Sequence, residues 1–206
     1  GTLNWYDAPT GGNLVGTGTS FTTPSISTTT TYYVESVVGS CTSTRVSVIA
    51  TVNSTPSITA TTPAARCGTG NISLSATASS GTIQWYDLPS GGTLLASGGT
   101  LNLFSLSTTT TYYVQVTNGF CTSPRTAVIA TINAVPTVTS TTPASRCDAG
   151  SVTLQALASS GTLNWYDAPT NGNLVGTGTS FTTPSISATT TYYVETTSGT
   201  CNSART

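Results

Sequence analysis

Side chains able to do chemistry are few in this 206-residue chain. There are six carboxylates, Asp7, Glu35, Asp87, Asp148, Asp167 and Glu195; five arginines; five cysteines; and no lysine, histidine or methionine. Without His or Lys the usual general bases and activated nucleophiles are missing. A glycosidase needs two carboxylates in one site, and the one complete structural unit, residues 54–133, holds only Asp87. No enzyme and no cofactor are expected.

The chemistry-bearing residues recur at a fixed interval. Trp5, Trp85 and Trp165 are 80 residues apart, as are Tyr32, Tyr112 and Tyr192, Cys41, Cys121 and Cys201, and Arg45, Arg125 and Arg205. The chain is a tandem array with no insertion or deletion between copies. Residues 1–46 and 161–206 are identical at 37 of 46 positions, as expected of a recent duplication.

Asp7, Asp87 and Asp167 each precede a turn containing proline. There an Asp side chain accepts backbone N–H bonds in an Asx-turn. The alternative is a calcium ligand, but Ca²⁺ wants six to eight oxygens, and Glu35 and Glu195 become Gln115 in the middle copy; no metal site is expected. Arg45, Arg125 and Arg205, with Arg66 and Arg146, are every positive side chain in the sequence. Their expected role is to hydrogen-bond backbone carbonyls or the turn Asp, the alternative being contact with a neighbouring domain or an acidic glycan. Tyr6, Tyr86 and Tyr166, with Tyr33, Tyr113 and Tyr193, are expected on one outward sheet face. That face could stack on a sugar ring, serve lateral contacts, or pair its aromatics across strands to stabilise the sheet.

Composition bounds the partners. Charged residues are 5% of the chain, and 48 Thr and 28 Ser make the polar surface mostly hydroxyl. Such a surface lacks the basic field that nucleic acid or an anionic membrane requires. No apolar run is long enough for a membrane span, and Gly1-Thr2-Leu3-Asn4 is not the start of a signal peptide. Five cysteines at repeat-fixed places, Cys41, Cys67, Cys121, Cys147 and Cys201, lack a metal-ligand spacing and read as disulfides in an oxidising compartment. The protein is expected outside the cell.

The elements that position these residues are strands. Proline joints at Asn53-Ser54-Thr55-Pro56 and Asn133-Ala134-Val135-Pro136 divide the chain into a partial repeat 1–53 lacking its first two strands, a complete repeat 54–133, and a partial repeat 134–206 lacking its last strand. In the complete repeat, period-2 alternation predicts strands at 57–61, 71–77, 82–87, 93–96, 100–106, 111–117 and 126–132. A loop from Pro63 to Gly70 is expected to carry Arg66 and Cys67, and Asn118-Gly119 reads as a two-residue hairpin. Seven short strands without helical periodicity indicate an all-β, antiparallel sandwich of immunoglobulin or fibronectin III character, with Trp5, Trp85 and Trp165 in the cores.

The pattern Arg66-Cys67-Gly68-x-Gly70-x-x-x-Leu74-x-Ala76, then Trp85-Tyr86-Asp87, Gly91-Gly92, Thr109-Thr110-Thr111-Tyr112-Tyr113-Val114 and Cys121-x-x-x-Arg125, resembles the Ig-like repeats of large surface and secreted proteins of Bacteroidetes. Those include gliding-motility adhesins and type IX secretion substrates. The resemblance covers the whole chain and implies a cell-surface adhesin or fibre stalk without enzymatic activity. The C-terminal sorting domain of such proteins is not among these residues, so the export route rests on the resemblance alone.

Two disulfide connectivities stay open. Bonds within a repeat would join Cys67 to Cys121 and Cys147 to Cys201, but those loops lie at opposite ends of an Ig-like sandwich, and a disulfide tolerates a Cα separation of only about 7 Å. Stacked repeats would instead bring Cys67 to Cys201. The expected function is a spacer segment of an extracellular stalk or filament. Its expected partners are neighbouring repeats and other copies in a fibre. The alternative is a multivalent polysaccharide-binding module acting through its Tyr face.

Overall fold

The computed structural model describes all 206 residues, which form twenty strands and no helix. The first repeat carries β1 (Thr2–Tyr6), β2 (Leu14–Thr17), β3 (Thr30–Val38), β4 (Cys41–Thr42) and β5 (Val46–Ala50). The middle repeat carries β6 (Ile58–Thr62), β7 (Ala64–Cys67), β8 (Gly70–Ala78), β9 (Thr82–Tyr86), β10 (Leu94–Ser97), β11 (Thr100–Leu106), β12 (Thr110–Thr117) and β13 (Thr126–Asn133). The third carries β14 (Val138–Thr142), β15 (Thr153–Ala158), β16 (Thr162–Tyr166), β17 (Leu174–Thr177), β18 (Ser180–Thr182), β19 (Tyr193–Ser198) and β20 (Cys201–Asn202). With no helix present, none is long and apolar enough to cross a membrane.

Two compact units result. One comprises Gly1–Ser57, Ala78–Thr82 and Val116–Pro124; the other comprises Ile58–Thr77, Ile83–Gln115 and Arg125–Thr206.

In the first unit, β1 pairs with β2 and β3, and β3 also pairs with β4 and β5. Trp5 stacks on Phe21 at 5.6 Å between centroids, and Phe21 meets Tyr32 edge-on at 5.1 Å. Residues 1–53 build this one sheet and no second sheet facing it. Trp5 is therefore half-buried rather than the enclosed core residue expected, and Val48 is 41% exposed where its counterpart Val128 is 2% exposed.

The second unit contains two sandwiches. In the middle repeat, the sheet β10-β9-β12-β13-β7 faces the sheet β11-β8-β6. Period-2 alternation turns Ile72, Leu74 and Ala76 of β8 toward Trp85, Tyr112, Val114 and Val128, all buried. The predicted strands are all present, and an eighth is added. Ala64–Cys67, expected as loop, is β7, which pairs in parallel with the end of β13 through Ala130↔Ala64 and Asn133↔Cys67. In the third repeat, β14-β15-β18 packs on β17-β16-β19-β20 around Trp165, Phe181 and Val194.

The hairpin at Asn118-Gly119, between β12 and β13, also differs from expectation. Two-residue turns occur in the first and third repeats, where Val38 pairs with Cys41 and Ser198 with Cys201. In the middle copy the bridge is Thr117↔Thr122, enclosing four residues. The cause is the Asn118 side chain, whose Oδ1 accepts the backbone N–H groups of Phe120 and Cys121 at 3.1 and 2.8 Å.

Candidate functional site

The most strongly repeated polar arrangement is built on the segment Cys-x-Ser-x-Arg that follows β3, β12 and β19, at 41–45, 121–125 and 201–205. Its serine had no assigned role from sequence. Ser43, Ser123 and Ser203 accept the backbone N–H of Ser36, Val116 and Thr196 at 2.9, 3.1 and 3.0 Å. Each also donates to the carbonyl of the residue after it, Thr44, Pro124 or Ala204, at 2.8–3.0 Å. One backbone N–H on β3, β12 or β19 and one carbonyl just before the arginine are thereby satisfied.

The arginine, just before β5 in the first repeat and β13 in the middle one, and at the corresponding place in the third, reaches across β3, β12 or β19 to the turn after β1, β9 or β16. Arg45 Nη1 donates to the carbonyls of Ala8 and Gly11 at 2.7 and 2.6 Å, Arg125 Nη1 to Leu88 and Gly91 at 2.5 and 2.7 Å, and Arg205 Nη1 to Ala168 at 3.0 Å. Each Nε donates at 3.1 Å to the side chain of Glu35 on β3, Gln115 on β12 or Glu195 on β19. The guanidinium carbons lie 3.4, 3.5 and 3.4 Å from the ring centroids of Tyr6, Tyr86 and Tyr166. The backbone-carbonyl role expected for these arginines is thus present, together with a cation–π contact that the sequence reading lacked. The same geometry is kept where Gln115 replaces a glutamate, so it does not depend on an ion pair.

This arrangement bears on the proposed sugar platform. The faces of Tyr6, Tyr86 and Tyr166 are covered by the chain's own arginines. Tyr33 and Tyr193 stand opposite Tyr6 and Tyr166 in register and, like Tyr113, are half-buried. The Tyr166 hydroxyl donates to Glu195 Oε1 at 2.9 Å, and this bond is the main reason its phenol ionises above the ordinary value. Burial raises the Tyr112 phenol likewise.

The turn aspartates accept backbone N–H groups as expected, but from the residue six positions on, closing the whole turn rather than forming an Asx-turn. Asp7 Oδ1 accepts the N–H of Asn13 at 2.7 Å and Oδ2 the Asn13 side-chain amide at 2.8 Å; Asp167 repeats this with Asn173 at 2.7 and 2.9 Å. These bonds, the side-chain one first, hold both carboxyls below the ordinary 3.8. Asp87 accepts the N–H of Thr93 at 2.7 Å. No three acidic or sulfur side chains come together in a metal-binding group.

The core tryptophans share a bond that sequence reasoning missed. The indole N–H of Trp5, Trp85 and Trp165 donates to the carbonyl of Gly18, Gly98 and Gly178 at 2.9, 3.0 and 3.0 Å. Gly98 has φ +109°, a conformation that disfavours a side chain. Its thirteen-residue spacing from Trp85, recurring in all three copies, was the available signal.

Of the five cysteines, Cys67 and Cys201 are bonded, with Cα atoms 5.5 Å apart and a sequence separation of 134. Neither within-repeat pair forms, because Cys121 follows the turn at the opposite end of the sandwich from Cys67. Cys41, Cys121 and Cys147, also read as disulfide cysteines, are thiols here. Cys147, with Ala144, Ser145 and Arg146, lines a cleft of about 280 Å³ whose other wall includes Thr190 and Tyr192. In the middle repeat, β13 fills the equivalent space between β12 and β7.

The solved structures similar to this chain are distant. An I-band fragment of titin is 12% identical, covering 97% of this chain and 84% of its own, with a TM-score of 0.48. A chain from a mouse coronavirus receptor-binding domain complexed with its murine receptor is 13% identical, covering 71% and 94%, at 0.43. Sidekick-1 immunoglobulin domains 1–5 are 15% identical, covering 98% and 50%, at 0.40. No curated protein matches. The family model described as "Ig-like domain CHU_C associated" matches residues 1–53, 54–133 and 134–206 in succession, and the chain belongs to that family as three tandem copies.

Proposed function

We propose that this chain is a spacer segment of an extracellular stalk or filament, part of a surface adhesin or fibre, in which Ig-like repeats set distance and stiffness. The observation that carries this reading is the disulfide from Cys67 in the middle repeat to Cys201 in the third, which adds a second covalent tie beside the peptide joint at 133–136. A spacer has to hold two domains in a fixed relation, and a catalyst has no need of this bond. The repeated polar groups support the same reading, since Ser, Arg and Asp side chains are spent on backbone groups of their own repeat. Family membership and the cysteine usage support a surface location.

Single-molecule energy transfer between dyes on the middle and third repeats tests the spacer role. The oxidised protein is expected to give one narrow distance distribution that broadens in Cys67→Ser/Cys201→Ser; a broad distribution in the oxidised protein would refute it. Antibody labelling of intact producing cells tests the location, and signal only after lysis would count against it. Polysaccharide recognition is the lesser reading, because arginine already occupies three of the six tyrosines offered for it.

A further inference from the structure

The chain contains two Asn-Gly steps, Asn118-Gly119 in the middle repeat and Asn171-Gly172 in the third. In such a step the backbone nitrogen of the glycine can attack the side-chain amide before it, and glycine carries no side chain to hinder the approach. The two steps share this chemistry. They differ in what holds them.

Asn118 is tied at every polar atom of its side chain. Its Oδ1 accepts the N–H groups of Phe120 and Cys121 at 3.1 and 2.8 Å, and its Nδ2 donates to the carbonyl of Ser54 at 2.9 Å. The nitrogen that would attack is engaged as well, since the N–H of Gly119 donates to Thr117 Oγ1 at 3.2 Å.

Asn171 is in the opposite condition. It is exposed in the turn between β16 and β17, a loop whose ends are clamped by the two bonds from Asp167 to Asn173 at 2.7 and 2.9 Å. Neither the Asn171 amide nor the N–H of Gly172 enters a hydrogen bond. Its backbone is left-handed, with φ +54°, and the only other non-glycine residue with positive φ is Ser105. In the first and middle repeats the same place is taken by Gly11 and Gly91, each with φ +60°, and a Cβ built on either meets nothing within 4 Å. A side chain at this position therefore projects into open space.

We propose that Asn171 is a self-modification site of the third repeat, converted to aspartate and to its β-linked isomer through a succinimide. The Gly172 nitrogen attacks Asn171 Cγ and a C–N bond closes the five-membered ring. The bond from Cγ to the side-chain nitrogen breaks, and that nitrogen leaves as ammonia, taking up the proton that the Gly172 nitrogen gives up. Water then opens the ring at one carbonyl or the other, so the sum is amide plus water to acid plus ammonia. The product places a carboxylate, and in the β-linked form one more main-chain carbon, in the turn whose Ala168 carbonyl receives Arg205. The first and middle repeats have glycine there and cannot react. The third repeat thus gains a mark that accumulates with time and sets it apart from a first repeat with which it is otherwise nearly identical.

The test incubates the intact 206-residue protein at mildly alkaline pH, once folded and once in denaturant, and follows amide-to-acid conversion at both steps by peptide mapping with mass spectrometry. In denaturant the two steps should react at similar rates. In the folded protein Asn171 is expected to keep most of its unfolded rate. Asn118 has to give up the four hydrogen bonds named above, and should fall about tenfold or more below its unfolded rate. Asn171→Gly, which restores the residue of the other copies, should abolish conversion in its peptide and leave the Asn118 rate as it was. Folded rates that are equal at the two steps, a faster reaction at Asn118, or an Asn171 slowed by folding as much as Asn118 would each overturn the proposal. None of these outcomes depends on whether the array is stiff, so the result is separate from that of the spacer test.

Discussion

Gly16 lies against the ring of Phe21 so closely that a Cβ on it would stand 2.6 Å from Cδ2. Gly176 and Phe181 repeat the relation, while the middle copy has Ala96 beside Leu101 at the same two positions. The larger ring goes with no side chain opposite it, and the smaller leucine goes with a methyl. In the third repeat, Gly176→Ala is expected to cost about 1–3 kcal/mol through overpacking. Adding Phe181→Leu should recover most of that loss, a coupling of roughly 0.5–3 kcal/mol. Urea unfolding of both single variants and the double measures it, and simple additivity would show that the pair is uncoupled.

The arginine bracket separates shape from charge. Since Gln115 stands in for the glutamates at the same 3.1 Å, Glu195→Gln is expected to change stability by no more than about 0.5 kcal/mol. Arg205→Lys keeps the charge but loses the planar fork and the stacking on Tyr166, and should cost roughly 1–2 kcal/mol. Thermal unfolding of the two variants decides it. A larger loss in Glu195→Gln than in Arg205→Lys would mean that the ion pair is what matters.

Asp7 and Asp167 give the protein an acid-side dependence. Their folded values lie below the ordinary 3.8, so the folded state binds protons less readily than the unfolded one. Their stabilising contribution is therefore present above that value and is lost as pH falls through the folded value. Asn173→Ala removes the side-chain amide bond to Asp167 Oδ2, the largest cause of the lowering, while the backbone N–H bond to Oδ1 stays, and should flatten the slope of the urea midpoint below about pH 4 relative to the parent protein. An unchanged slope would remove Asp167 as a contributor.

Reduction of the Cys67–Cys201 bond frees a closed loop spanning 134 residues. The chain-entropy estimate for a loop of that size is about 5 kcal/mol. Calorimetry should show a large fall in melting temperature on reduction, and the Cys67→Ser/Cys201→Ser variant should match the reduced protein and be indifferent to reductant. A parent protein equally stable with and without reductant would mean that the bond carries no folding energy.

Strand positions in the middle repeat are legible because one face of each strand is buried, so apolar residues recur at every second place, as at Ile72, Leu74 and Ala76. β7 is not legible that way. Ala64-Ala65-Arg66-Cys67 has no alternation, and it is a strand because β13 offers a parallel edge, a fact of tertiary placement. The Arg125–Tyr86 stack is hidden for a related reason: its partners are 39 positions apart in sequence and meet only through the order β9, β12, β13 in the sheet. The exposed flank of Trp5 follows from what does not face its sheet, and no residue in β1 encodes that. The disulfide pairing needed the placement of two repeats, which spacing left as a choice between alternatives.

The Cys67–Cys201 bond also decides where tension would run. If the protein is pulled from its two ends, force entering along the chain reaches Cys67 and crosses the sulfur pair directly to Cys201. The backbone between them stays slack in the force path. Most of the middle and third repeats, including the joint at 133–136, would carry no load while the bond holds. At ~3.3–3.6 Å per residue, cutting that one bond under load would release roughly 450 Å of stored contour length once the domains unfold. The bond thus works as a fuse for the segment's extensibility, set by the redox state of its surroundings.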